Sequence, residues 1–273
     1  MRAIPLLARR YRILALIRNP AHGERLRTLG VLPLIGDLDN RACLARIAGL
    51  AKNVLHFAPP ANSGAYDVRT RNLLSALSRG ILPERLVYIS TSSVYGDCCG
   101  AQIDESHPLN PQTVRAQRRA DAERQIRNWA KRNHVSASIL RVPGIYAANR
   151  LPLETLRAGT PSIAQGEDSY TNHIHADDLA HVSIAALRYG KTCRVYHARD
   201  DSELQMGDYF DLVADAYNLP HVPRISRAEA QSVLPESLLS FMNESRRLTN
   251  ARMKRELKVV LRYPTVADGL KDV

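Results

Sequence analysis

Short apolar runs alternate with longer stretches of mixed polarity through the first half of the chain. The runs at 12–17, 31–35, 53–57, 86–90 and 136–142 are strand-sized and read as strands. The stretches at 1–10, 40–50, 66–78 and 117–133 read as helices, with Asp39 or Asn40 placed to cap the second. A loop and a short helix follow the first strand. Pro59-Pro60 breaks the chain after the third run. Apolar strands that alternate with helices predict a parallel sheet covered on both faces, because a strand buried on both sides has no polar face to show. Right-handed crossovers then leave a doubly wound sheet as the α/β architecture.

After Pro143 the rhythm changes. Helices are predicted at 177–188, ending at Gly190, at 207–217, and as a basic helical tract from 226 to 261. The strand candidate at 193–197 stands isolated. The expected organisation is a Rossmann-like domain over 1–142 and, over 143–273, a small, mostly helical C-terminal substrate lobe interleaved with the sheet.

Composition narrows the function. The 273 residues are 45% hydrophobic and 24% charged, ordinary for a globular protein. No apolar run is long enough to span a bilayer, and the start of the chain is too short in apolar residues for a secretory leader, so a cytoplasmic location is expected. Cys43, Cys98, Cys99 and Cys193 lack metal-binding spacing and fit a reducing compartment. The net charge of +11 raises nucleic acid as a partner. The arginines are scattered in pairs, however, and one Trp with three Phe offers little for base stacking, so nucleic acid is not the expected partner.

Two segments carry candidate chemistry. Ser90-Thr91-Ser92-Ser93-Val94-Tyr95-Gly96-Asp97 follows a strand directly, which sets its hydroxyls at a ligand crevice or in a turn. Asn172-His173-Ile174-His175-Ala176-Asp177-Asp178-Leu179-Ala180 runs into a helix. Asp177 and Asp178 there suit a helix start better than a metal site, since no further ligand motif accompanies them.

Together these segments resemble the extended and atypical short-chain dehydrogenase/reductases, in particular the NAD-dependent epimerase/dehydratase family. Gly36-Asp37-Leu38, His56-Phe57-Ala58, Arg246-Arg247-Leu248-Thr249-Asn250, Leu261-Arg262-Tyr263-Pro264 and Gly269-Leu270 fall in the same order as that family's later motifs. The resemblance spans nearly the whole chain. It implies a nicotinamide dinucleotide held by Arg18, Asp37, Leu38, Phe57, Ala58, Pro59 and Arg119. It also implies a substrate bound by Ser92, Ser93, Tyr146 and His175, in a crevice between Thr91, Ile145-Tyr146 and His175.

Three departures from the family pattern matter. The family's first strand and glycine-rich phosphate turn would precede Met1; they are expected upstream, the alternative being loss of a central strand. Arg115 and Arg119 stand where the family carries its working tyrosine and lysine, and an arginine does not exchange a proton at neutral pH. Asp67 stands where the family has an asparagine. The roles implied are Thr91 to orient substrate, Asp67 to position the active-site helix or a water, and Arg115 and Arg119 in the acid/base positions. Tyr95 or Tyr146 is the substitute proton donor. Arg18, at a strand end that lacks an acidic residue, points to NADP rather than NAD.

The function expected is an NAD(P)-dependent, epimerase/dehydratase-like oxidoreductase, an atypical member acting on a sugar nucleotide or another carbonyl or hydroxyl substrate. The alternative is a non-catalytic NADP-binding sensor or scaffold with a degenerate site. A homodimer through the helices at 66–78 and 117–133 is the oligomer to expect, and no membrane partner is.

Overall fold

The computed structural model describes residues 1–271. Six strands form the frame: β1 (Ile13–Ile17), β2 (Val31–Ile35), β3 (Asn53–His56), β4 (Arg85–Thr91), β5 (Ser136–Val142) and β6 (Arg194–His197). The main helices are α1 (Ala3–Ala8), α2 (Val68–Leu77), α3 (Val114–Asn133), α4 (Ala176–Tyr189) and α5 (Met206–Ala216). Strands β6, β5, β4 and β3 lie side by side in that order, all parallel.

This four-stranded sheet is buried on both faces, as its continuous apolar runs require. Successive side chains of a strand point to opposite sides. Val87 and Leu140 accordingly join a core with α4 and the helix Ala251–Leu257. Leu86, Tyr88 and Ile139 join another with α2 and α3, where Leu73, Leu77, Ile126 and Trp129 close over them. A third core, with Leu156, Ile163, Phe210, Val213 and Val266, belongs to the C-terminal part of the chain.

Strands β1 and β2 form a separate parallel pair, in register from Ile13 opposite Val31 to Ile17 opposite Ile35. No ladder joins β1 to β3. All five residues of β1 are apolar yet partly exposed, and none belongs to a core cluster. Side-chain ties bridge the two sheets instead. Asn72 of α2 donates from Nδ2 to the Leu38 carbonyl at 2.8 Å, and Arg69 grips Asp39. Helix α1 packs on α4, with Arg2 paired to Asp177 at 2.5 Å.

Four expectations need correction. The stretch at 40–50 is a 3-10 helix, Arg41–Ile47, started by Asn40, whose Oδ1 accepts from the Ala42 amide at 3.1 Å. The strand at 193–197 is not isolated: Arg194 to His197 pair with Ser138 to Arg141 of β5. The tract 226–261 is three short helices, Arg227–Val233, Glu236–Met242 and Ala251–Leu257, not one helical run. Pro235 interrupts it, since proline has no amide to continue a ladder, and Arg247–Leu248 leaves it to pair with Gln102–Ile103. Finally, Asp178 does not cap α4. Its carboxylate accepts from the Arg262 and Tyr263 amides at 2.8 and 2.9 Å, pinning the distant C-terminal segment, while the His175 ring caps the helix at the Asp177 amide. Gly190 does end α4, but with φ at −59°, outside the left-handed region; an added Cβ there would collide with Ser138 of β5.

Candidate active site

In an open parallel sheet, loops at the carboxyl ends of the strands form the ligand crevice. Here those ends carry Arg18 after β1, Asp37 and Leu38 after β2, Phe57 to Pro59 after β3, and Thr91 to Ser93 at the end of β4. The fold therefore brings the sequence-derived cofactor residues to one edge of the two sheets. Arg18 and Phe57 are exposed, and Asp37, Leu38 and Ala58 are half-buried. Asp37 is fixed by a local turn: its Oδ1 accepts from the Asp39 amide at 2.9 Å, and its own amide donates to Cys43 Sγ at 3.1 Å. The residues present fit the two ends of a dinucleotide. Between those ends, where β1 and β3 lie unpaired, the described chain offers no glycine-rich turn.

Arg119 lies beneath this edge. From α3 its Nη1 donates to the Ile89 carbonyl at 2.7 Å and to the Tyr88 hydroxyl at 3.1 Å. One guanidinium is thereby held against β4, on a residue that is only partly exposed. Arg115, one turn earlier, is exposed and lies over the Phe241 ring, 4.7 Å from its centroid. That contact joins α3 to the helix Glu236–Met242.

Thr91 is half-buried and its Oγ1 accepts from the Ser93 amide at 3.3 Å, which starts the turn Ser92–Tyr95. Ser92 and Ser93 are buried in that turn.

Asp67 serves the scaffold. It is 1% exposed, and its two oxygens accept from the Thr70 amide at 3.2 Å and the Thr70 hydroxyl at 2.6 Å, capping α2. Its backbone is tied to Asp121 and Gln125 of α3 at 2.9 and 3.0 Å. It positions both helices, and its burial keeps its carboxylate from bulk solvent. The Thr70 hydrogen is spent on Asp67, so Thr70 Oγ1 accepts from His56 Nε2 at 2.9 Å. That fixes the His56 tautomer. Burial, with help from the Arg119 charge, pulls the His56 pKa down to about 3.

Neither substitute proton donor is available. Tyr95 is 1% exposed. Nδ1 of His197 can only donate to the Thr249 carbonyl at 2.9 Å, so its Nε2 accepts the Tyr95 hydroxyl hydrogen at 2.6 Å. The same hydroxyl accepts from Arg141 at 2.5 Å, and burial pushes its pKa up to about 12. The Tyr146 hydroxyl donates to the Thr265 carbonyl at 3.1 Å inside the C-terminal core, where burial also raises its pKa. His175 is buried between Tyr146 and Tyr263. Tyr146 and His175 are thus buried, with the Tyr146 hydroxyl and His175 Nδ1 bonded inside the protein.

Sequence reasoning missed the support of the β4 edge. Glu123 accepts from Ser90 at 2.7 Å and from two nitrogens of Arg141 at 3.0 and 2.7 Å, all fully buried. It also missed Arg69, which joins Asp39, Pro59 and Pro60 at the opposite end. These partners are 9 to 33 residues apart, and nothing local in the sequence marks them.

The described residues contain no group of three or more potential metal ligands and no helix long and apolar enough to cross a membrane. The chain is similar to a 4-hydroxy-2-methyl-3-oxo-4-farnesyl-3,4-dihydroquinoline-1-oxide ketoreductase of Stigmatella aurantiaca, at 24% identity over 85% of this chain and 75% of the relative. It is also similar to the dTDP-D-glucose 4,6-dehydratase of Homo sapiens, at 24% identity over 56% of this chain, where it spans about half (49%) of that relative's length. Among solved structures, the dTDP-glucose 4,6-dehydratase of Streptomyces venezuelae, with NAD and TYD bound, superposes with a TM-score of 0.80. That match has 21% identity and covers 99% of this chain and 90% of the other, so it shows a shared fold. The model of the NAD dependent epimerase/dehydratase family matches residues 5–198, and the chain belongs to that family.

Proposed function

We propose that this chain is an oxidoreductase of epimerase/dehydratase type that prefers NADP and acts on a sugar nucleotide or a related carbonyl or hydroxyl compound. The observation that carries the reading is the clustering of Arg18, Asp37, Leu38, Ala58, Thr91 and Arg119 along one edge of strand ends. The dehydratase and ketoreductase activities named for its relatives supply the substrate class. A bound nicotinamide cofactor supplies or accepts hydride.

The chain's own residues then orient substrate and stabilise charge. Thr91 faces the reacting carbon's oxygen with its hydroxyl. Arg119, clamped against β4, offers a fixed positive charge where an alkoxide develops, and a preorganised charge of this kind needs no proton exchange. Arg115 sits on Phe241 and closes the outer side of the crevice. With Tyr95 and Tyr146 committed elsewhere, the proton comes from water at this open edge. The basic surface, at +11, draws in anionic nucleotides. The same reading places the protein in the cytoplasm, where its four unbridged thiols are at home, and pairs it with a second copy through α2 and α3.

The test is a fluorescence titration of the purified protein with NADPH and NADH, followed by turnover assays on nucleotide sugars and ketones. Tighter NADPH binding with measurable turnover is expected. An Arg119→Met variant should then lose kcat by a larger factor than it loses cofactor affinity. Failure to bind either dinucleotide would sink the reading.

A further inference from the structure

Arg69 is held unlike the other arginines of the cofactor edge. Its Nη1 donates to the Pro59 and Pro60 carbonyls at 3.1 and 3.3 Å, which fixes the plane of the guanidinium. The other edge, Nε and Nη2, meets Asp39 Oδ1 and Oδ2 at 2.8 and 2.6 Å. The arginine side chain is 18% exposed and the carboxylate 42%. A recessed, rigid fork thus carries an anion that lies at the surface. The Arg69 contact holds the Asp39 carboxyl below the usual carboxylate range, and the nearby Arg18 charge lowers it further. Arg69 therefore holds an anionic position at the mouth between the two sheets, and the charge of Arg18, at the end of β1, acts on the same carboxylate.

A planar guanidinium fork binds carboxylate and phosphate in the same two-point geometry. We propose that the Arg69 fork, with Arg18, is the receptor for a phosphate monoester, the 2′-phosphate of NADP, and that Asp39 is an internal stand-in that the phosphate must displace. This rests on the NADP reading above and extends it. Cofactor choice then depends on a competition. Asp39 sits on the fork when the nucleotide lacks a 2′-phosphate and swings out when the phosphate arrives. A second consequence is mechanical: Asp39 follows β2 and Pro59 follows β3, so the nucleotide's phosphate takes over part of the tie between the two sheets.

The probes are adenosine 2′,5′-bisphosphate and adenosine 5′-monophosphate, titrated by calorimetry into wild type and five variants. Wild type should prefer the bisphosphate. Asp39→Asn, which removes the competitor, should tighten bisphosphate binding roughly tenfold, since a charge-assisted contact is worth ~1.5–3 kcal/mol, and leave the monophosphate unchanged. Arg69→Met should weaken the bisphosphate alone, and Asp39→Asn should bring no gain in that background. Arg69→Lys keeps the charge and loses the fork, so it should also lose most of the preference; it covers the case in which Arg69→Met does not fold. Preference lost in Arg18→Met but intact in both Arg69 variants overturns the receptor while the NADP reading stands. No discrimination between the probes by wild type overturns both.

Discussion

The β1–β2 pair and the four-stranded sheet are built from similar apolar runs, yet they end in different environments. β5 has six of its seven residues buried and the remaining one half-buried. Ile13–Ile17 of β1 has none buried. The difference lies in neighbours. β4 and β5 are flanked by strands on both edges and by α2, α3 and α4 across their faces. β1 has β2 on one edge and no strand on the other. An apolar run specifies a strand, but how much free energy that strand contributes depends on what the rest of the chain lays against it. On the proposed reading the cofactor edge spans both regions, with its adenosine side on the lightly packed one and its reactive side on the well-packed one.

Acid should separate the two regions most strongly. His56 and His197, on the four-stranded sheet, and His173, on a short ladder outside it, have pKa values pulled down to about 3 by burial. A histidine depressed in the folded state binds its proton more readily when unfolded. Its neutral form contributes full stability above the unfolded value of 6.5, and that contribution is lost as pH falls below it. The loss is on the order of 1 kcal/mol per histidine per pH unit. Asp200 runs the other way. Burial pushes its carboxyl up to about 7, and its Oδ2 has no partner. The folded state therefore holds that proton more tightly between 3.8 and 7, and stability falls as pH rises through this window. Urea unfolding at pH 7 and 5 should show a net loss of several kcal/mol in acid. Asp200→Asn, which removes the opposing group, should make the acid loss steeper. A flat profile in wild type would show that the three imidazoles are reached by solvent.

A matched pair of truncations tests the packing difference directly. Leu140 is fully buried in β5, and Leu16 is partly exposed in β1. Leu140→Ala should cost about 2–5 kcal/mol, because the lost contacts and the cavity add. Leu16→Ala should cost about 1 kcal/mol or less, since much of that side chain already meets water. Denaturant midpoints measure both. Equal costs would mean that β1 is covered in solution by something outside the described residues.

The sequence displayed the frame well because the frame is local. The runs at 31–35 and 136–142 became strands with those same limits. Arg18, Asp37 and Thr91 fall at or just after strand ends, and Arg119 reaches the Ile89 carbonyl of β4 from α3. What stayed hidden depends on distant partners. Tyr95 looked like a free hydroxyl in a turn, and only the fold brings His197, 102 residues away, onto its hydrogen. Asp178 looked like a helix cap, and its true partners are 84 and 85 residues downstream. Residues 193–197 looked isolated because the surrounding sequence after Pro143 reads mainly as helices. They pair with β5 all the same, with Glu256 taking the Arg194 guanidinium at 2.6 Å and Tyr95 taking the His197 ring. Buried polar groups are legible only once their partners are in place.

The smallest effect should be the most local. Asn72 reaches from α2 to the Leu38 carbonyl, one of the side-chain bonds that connect the two sheets. Removing it costs one hydrogen bond, about 0.5–1.5 kcal/mol. The affected carbonyl lies in the loop after β2, so the loss falls on the β1–β2 pair. In Asn72→Ala, amide exchange should speed up through β1 and β2 and stay unchanged in β4 and β5, because the core on the far side of α2 does not involve this bond. Faster exchange in both regions would make them one cooperative unit, held together by more than the ties between α2 and the loop after β2. Exchange confined to β1 and β2 would show that the adenosine side of the crevice opens on its own, and a ligand that bridges Arg18 and Thr91 would then be expected to slow it.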